Sequence, residues 1–279
     1  MKRLLLVLIL LLTICSLTSC GNEVKFDESK GTLVVGLECN YPPFNWLETT
    51  KTDTNYPVEN IPGSYAEGYD VQMAKLIAED LGYELVLQSI VWEGLIEGLK
   101  AGTIDLIIAG MSPTEERKIS IDFTSAYYST THVIVTKADS KFANAETFAD
   151  LAGSKTIGQA GTIYNELAGQ VVAKTTGASH LNPLDSVPLI INAIKTGVAD
   201  LTVLEEPVAV GICGADSSLT YFRLTEEFDV AEEDKIVSIG VRKADSSLRE
   251  KVNAALAKIS EETRQELMLN AINNQPSGE

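Results

Sequence analysis

The chain is poor in the residues that metals and nucleophilic catalysis draw on: its 279 residues hold two histidines, His132 and His180, and four cysteines. Two of the cysteines, Cys15 and Cys20, fall within the first twenty residues. The other two, Cys39 and Cys213, are too few and too far apart for a disulfide framework, and with two histidines they offer no zinc-ligand spacing. Both are expected to be free, packed thiols. No nucleophile–histidine pair stands out, so neither covalent catalysis nor a metal or cofactor is expected. Positive charge is also short: 22 Lys and Arg stand against 39 acidic residues, a formal net charge of −17. That balance disfavours nucleic acid and anionic headgroups as partners. Beyond the N-terminus no apolar run approaches the roughly 18 residues that a membrane-spanning helix needs.

What is present begins at the N-terminus. Met1-Lys2-Arg3 leads into Leu, Val and Ile up to Ile14, a basic tip and apolar stretch of the kind that directs export. Leu17-Thr18-Ser19-Cys20-Gly21 resembles the bacterial lipobox, in which the cysteine is lipidated and becomes the new N-terminus. Residues 1–19 are therefore expected to be a lipoprotein signal peptide, and residues 20–31 a lipidated Cys20 with a polar tether. Each buried acyl methylene contributes about 0.8 kcal/mol, so more than one chain makes a stable membrane anchor. Loss of Lys2 and Arg3 takes the formal charge from −17 to −19. The remaining folded length exceeds what one core usually organises, so two lobes are expected.

From residue 32 to about 242 short β-branched runs alternate with apolar residues three and four apart, which predicts mostly parallel sheets with helices on their faces. Strands are expected over residues 32–37, 85–90 and 106–109, and helices over 70–81 and 92–101, closed by Gly82 and Gly102. Residues 46–65 are polar and read as a surface loop. One layout occurs twice: Leu99-Lys100-Ala101-Gly102-Thr103-Ile104-Asp105-Leu106 and Ile194-Lys195-Thr196-Gly197-Val198-Ala199-Asp200-Leu201. In each, a helix ends on a glycine suited to a left-handed cap and Asp-Leu enters an apolar strand. Five residues past each Asp stand Gly110 and Glu205. Ligands bind beyond the carboxyl ends of strands in open parallel sheets, so the repeat assigns both positions to one shared cleft.

Ser112-Pro113-Thr114-Glu115 has the form of a capping box, which places a helix start at Ser112. A helix N-terminus at a strand end attracts anions. Arg117, one turn in, is either a solvated surface residue or a planar fork for a carboxylate. Thr162, followed by Ile163, reads as the corresponding helix start in the second half, after a strand ending at Gln159. Glu205 is either solvated or a receptor for an ammonium group. Tyr41 and Tyr69 are candidates for an aromatic cavity wall, whereas Phe44, Trp46 and Trp92 read as core.

These segments carry a resemblance. Leu33-Val34-Val35-Gly36, Asn40-Tyr41-Pro42-Pro43-Phe44, Gly68-Tyr69-Asp70, Trp92-Glu93-Gly94-Leu95, the run from Asp105 to Arg117, Gln159-Ala160-Gly161-Thr162, Glu205-Glu206-Pro207 and Gly240-Val241-Arg242-Lys243 resemble the family 3 extracellular solute-binding proteins of amino-acid ABC importers. The resemblance implies an α/β, two-lobed periplasmic-binding-protein fold of type II. Each lobe would be a mostly parallel sheet flanked by helices, with two crossing strands joining them near residues 131–135 and 236–240. Lobe 1 would comprise residues 32–133 plus 240–279, and lobe 2 residues 134–239. By the same resemblance Arg117 binds the α-carboxylate of an amino acid with Ser112, Thr162 and Ile163. The Gly110 carbonyl and Glu205 receive the α-ammonium, Tyr41 and Tyr69 form the wall, and Glu38, with Gln159 nearby, meets the ligand side chain.

The function so implied is extracytoplasmic binding of a polar L-amino acid, cationic or amide-bearing, by a monomer held by lipid at the outer face of the bacterial cell membrane. Its protein partner is a membrane permease of an ABC importer. The family more often has Asp at position 205, its loop after Phe44 is shorter, and residues 260–264 lack its usual glycine turn. An alternative on the same scaffold is a secreted enzyme resembling cyclohexadienyl dehydratase. An amino-acid receptor without an added acid argues for a binding protein and against an enzyme.

Overall fold

The computed structural model describes residues 24–276. The expected signal peptide, the lipidation site Cys20 and the start of the tether lie outside the described residues. In chain order the strands are β1 (Thr32–Leu37), β2 (Asn40–Tyr41), β3 (Asn45–Glu48), β4 (Tyr56–Pro57), β5 (Tyr65–Glu67), β6 (Glu84–Ser89) and β7 (Leu106–Ile107). They continue as β8 (Asp122–Ser129), β9 (His132–Lys137), β10 (Lys155–Thr156), β11 (Ser179–His180), β12 (Leu201–Glu205), β13 (Leu219–Phe222) and β14 (Ile236–Val241). The α-helices are α1 (Tyr69–Leu81), α2 (Leu95–Ala101), α3 (Glu115–Ser120), α4 (Ile163–Lys174), α5 (Val187–Lys195), α6 (Glu206–Ala215), α7 (Ser246–Leu256) and α8 (Glu261–Asn274).

Two five-stranded sheets share one plan. The first runs β6-β1-β7-β14-β8 and the second β11-β10-β12-β9-β13. In each, three strands are parallel and the last two are antiparallel additions. Helices α1, α2 and α7 pack on the first sheet and α4, α5 and α6 on the second. Each sheet with its helices forms one lobe. Burial on both faces explains the near-continuous apolar strands, such as the fully buried Leu201 to Glu205.

The repeated helix-Gly-strand unit is real in three dimensions. Gly102 and Gly197 both take left-handed φ, 76° and 77°, and the aspartates that follow do the same work. Asp105 N–H donates to Val34 O at 2.7 Å while its carboxylate accepts from Val34 N at 3.1 Å. Asp200 N–H donates to Lys155 O at 2.8 Å and its carboxylate accepts from Lys155 N at 2.8 Å. Each Asp thus aligns the entering strand beside its parallel neighbour, β7 beside β1 and β12 beside β10. The resulting register sets where Gly110 and Glu205 emerge.

The chain passes from the first sheet to the second at Thr130 and Thr131, between β8 and β9, and returns through residues 223–235 into β14. β9 and β14 each lie wholly in one sheet, so the crossings are these short links and not the strands expected over 131–135 and 236–240. Residues 46–65 are also more ordered than a surface loop: β3, β4 and β5 join β2 in a small antiparallel sheet. Its outer face is solvated, which is why its sequence looks loop-like. The helix expected to start at Ser112 starts later. The Ser112 hydroxyl is turned to Asp234 O, at 3.4 Å, and Thr114 is the cap, accepting from Arg117 N. The departure at residues 260–264 is a helix start, with Ser260 capping α8 and Arg264 tying it to Ala126 O of β8.

The two aspartates of the repeat differ in one respect. Asp105 also pairs with the buried Arg242 at 2.9 Å, whereas Asp200 serves backbone groups. Asp200→Ala is expected to cost about 1 kcal/mol of unfolding free energy and Asp105→Ala about 2–3 kcal/mol. Urea titration of both variants checks this, and an equal loss in each would remove Arg242 from the account.

Candidate functional site

The carboxyl ends of β1 and β7 in one lobe face those of β10 and β12 in the other. Between them lies a narrow cavity of about 20 Å³. Lobe 1 lines it with Glu38, Tyr41, Trp92, Gly110, Ser112 and Arg117, and lobe 2 with Gln159, Thr162, Ile163, Tyr164 and Glu205. Of the ten residues nominated from sequence, nine stand on this wall.

The exception is Tyr69. Gly68, at φ 121°, begins α1 hard against the Pro43 and Phe44 carbonyls, where any Cβ would clash. That turn sends the Tyr69 ring inward, where it stacks on Tyr127 and donates to Tyr127 O at 2.7 Å. It is lobe 1 core and not a cleft wall. Trp92 errs the other way. It opens a short 3₁₀ turn before α2, and its ring lies under the Arg117 guanidinium at 5.0 Å, so it belongs to the cleft and not to the core. Tyr164 is the residue that sequence reasoning missed. It is the second residue of α4, one past Ile163, and the logic that placed the α4 N-terminus at the cleft also brings its ring there.

Glu205 ends β12 and occupies the cap position of α6. It is 1% exposed. Tyr41 Oη donates to its Oε2 at 3.0 Å across the cleft, and Tyr41 and Tyr164 are hydrogen-bonded to each other. Burial pushes the Glu205 carboxyl up to about 7, against the pull of the two tyrosine hydrogen bonds. Glu38, just past β1, is also pushed up to about 7 by burial. Its Oε1 accepts from Gln159 Nε2 at 3.4 Å, and Gln159 also donates to Asp185 O at 3.1 Å.

Arg117 carries the opposite charge. Its Nη1 donates to Ser112 O at 2.8 Å and its Nη2 to Gly161 O, in lobe 2, at 3.0 Å. Trp92 Nε1 reaches the same Gly161 carbonyl at 3.1 Å. Burial lowers the Arg117 pKa, while nearby tyrosine and carboxylate charges favour its cationic form. Thr162 stands at the N-cap position of α4, but its Oγ1 turns back to donate to Gln159 O at 2.8 Å. The first N–H groups of α4 therefore keep no side-chain cap, and Thr162 and Ile163 at this helix start line the cavity with Arg117. One end of the cavity thus suits an anion, and two buried acids at Glu38 and Glu205 suit cations. Among the described residues no group of three or more His, Cys, Asp or Glu could hold a metal ion.

Residues 33–271 match the model of bacterial extracellular solute-binding proteins, family 3. The chain belongs to this family. An arginine-binding extracellular protein, ArtP, of Bacillus subtilis is 33% identical over 94% of both chains. Among solved structures, an amino-acid ABC transporter substrate-binding protein of Streptococcus pneumoniae bound to L-arginine superposes with a TM-score of 0.74 at 28% identity. It covers 88% of this chain and 96% of its own. An ancestral amino-acid-binding protein described as a precursor of cyclohexadienyl dehydratase superposes at 0.70 with 25% identity, over 88% and 97% of the two chains. The two-lobed α/β fold is that of the family.

The buried acids give this family 3 protein a pH signature. An exposed glutamate titrates near 4.5 and Glu205 near 7, so the folded protein keeps a proton that the unfolded chain releases between those values. Stability from this group is complete below pH 4.5 and falls as the pH rises through about 7. Glu205→Gln, which cannot ionise, is expected to stabilise the unliganded protein by up to about 3 kcal/mol at pH 8 and little at pH 4. Denaturant unfolding at the two pH values measures it; an equal effect at both would exclude carboxylate burial as the cause.

Proposed function

We propose that the chain is the extracytoplasmic receptor of an ABC importer and carries a cationic L-amino acid, with L-arginine its first candidate. The observation that carries the ligand class is the pattern of charges in the cleft: Arg117 beside uncapped α4 amides, and two buried carboxylates, Glu205 and Glu38, on the remaining wall. In this reading the α-carboxylate lies on Arg117, the Ser112 hydroxyl and the Thr162 and Ile163 amides. The α-ammonium takes the place of the Tyr41 hydroxyl at Glu205 and meets the Gly110 carbonyl. The ligand side chain runs between Tyr41 and Trp92 toward Glu38 and Gln159. Relatives that bind arginine support the same ligand.

Tyr41, Arg117 and Trp92 from lobe 1 touch Glu205, Tyr164 and Gly161 from lobe 2, so ligand entry requires the lobes to part. Residues 130–131 and 223–235 are the links about which they turn, a hinge motion. No step here calls for catalysis, and the protein acts as a monomer that hands its ligand to a membrane permease.

Thermal unfolding with each of the twenty amino acids tests this. L-arginine near 100 times its dissociation constant is expected to add roughly 2.7 kcal/mol. Arg117→Ala is expected to abolish the shift while leaving the unliganded fold intact, and Glu38→Gln to weaken arginine at least tenfold while weakening glutamine less. Stabilisation by acidic or aliphatic amino acids alone, or turnover of prephenate or arogenate, would overturn the assignment.

We further propose that Cys20 is the lipid-bearing N-terminus of the mature protein and holds it at the outer face of the cell membrane; the lipobox-like segment Leu17-Thr18-Ser19 before it supports this. Cys20→Ser is expected to move the protein from the membrane fraction to the medium or the soluble extract, measured by fractionation and immunoblot.

A further inference from the structure

Asp70 lies behind the cleft wall, on the first turn of α1, and is 0% exposed. Both its oxygens are used. Oδ1 accepts from the Tyr127 hydroxyl at 2.6 Å and Oδ2 from Asn45 Nδ2 at 2.8 Å. Each partner carries the connection on toward the cleft. The Tyr127 hydroxyl accepts from Gly110 N–H at 3.0 Å, and Asn45 Oδ1 accepts from Cys39 N–H at 2.6 Å. Every donor in both chains points toward Asp70, a polarity that ends naturally on a carboxylate.

The two backbone sites held in this way are unusual ones. Gly110 and Cys39 have φ of 60° and 62°, and for a non-glycine residue such as Cys39 this costs about 1 kcal/mol or more unless its surroundings enforce it. Gly110 lines the cavity, and Cys39 follows Glu38, which also does. No cation is among the groups that set the Asp70 titration. Burial pushes the Asp70 carboxyl up to about 7; above that pH its negative charge acts on the cleft directly, and Glu205 feels it.

We propose that Asp70 is a positioning residue for the ligand's ammonium group: through Tyr127 and Asn45 it sets the Gly110 and Glu38–Cys39 backbone, and with Glu205 it makes that corner of the cleft select a cation. The assignment rests on the amino-acid receptor proposed above. A purely structural buried acid would support every ligand alike; this one supports the amine.

The test is calorimetric titration of the wild type, Asp70→Asn and Tyr127→Phe with L-arginine and with 5-guanidinopentanoate, which lacks the α-ammonium. Asp70→Asn is expected to lower L-arginine affinity at least tenfold and that of the analogue less than twofold. Tyr127→Phe, which removes one hydroxyl, is expected to show the same preference at a three- to tenfold loss, and carries the test where Asp70→Asn fails to fold. A second readout is the pH at which L-arginine affinity levels off. Glu205 also faces Tyr41, Tyr164 and Arg117, all unchanged in Asp70→Asn, so the midpoint is expected to move to lower pH when the Asp70 charge is removed. This readout decides the matter if the analogue binds too weakly to measure. Equal proportional losses for both ligands, or an unmoved midpoint, would overturn the role of Asp70 alone; a wild type that binds no amino acid would overturn the receptor itself.

Discussion

The hydrogen bond from Tyr41 to Glu205 is the contact on which the cleft depends, because it joins the lobes and holds a carboxylate in a place with almost no water. A glutamate that is 1% exposed loses solvation that two tyrosine hydroxyls only partly replace. The cleft is therefore shut on an acid that favours its protonated form until a cation reaches it. In the proposed receptor, ligand binding and lobe closure would share this one group, so the charge that attracts the ligand would also be the charge whose burial works against an empty closed state.

Much of this was legible in the sequence because it depends on punctuation. Gly102 and Gly197 turn left-handed without the cost a Cβ would bring, and Asp105 and Asp200 mark the residues that clamp one strand to its neighbour. Counting from those clamps led to Gly110 and Glu205 on opposite walls of one cavity. The family motifs then supplied both the fold and the neighbours of Arg117. None of these steps required knowing where a side chain points.

The misplacements at the site concern side-chain direction. Tyr69 and Trp92 are both aromatic residues at the start of a helix, and composition treats them alike. Gly68 turns one ring into the lobe, whereas the 3₁₀ turn at Trp92 brings the other out beneath Arg117. Ser112 looks like a cap in sequence, yet its hydroxyl faces the returning link at Asp234, and Thr114 takes the cap. A tertiary contact decided each case. The small sheet of β2 to β5 was hidden for a different reason: its strands are two to four residues long, too short for an alternation to be read.

The interior of this protein holds acids that most domains exclude. Glu38, Asp70 and Glu205 are each pushed up to about 7 by burial, and the one arginine on the cavity wall is Arg117. A ligand with two cations and one carboxylate matches Glu205, Glu38 and Arg117 one for one. A ligand with an uncharged side chain leaves Glu38 without a partner. Near neutral pH that mismatch is mild, because Glu38 keeps its proton at modest cost when its pKa is about 7. In the proposed receptor, discrimination between cationic and amide side chains would rest on the ionisation of Glu38 and sharpen as the pH rises above that value.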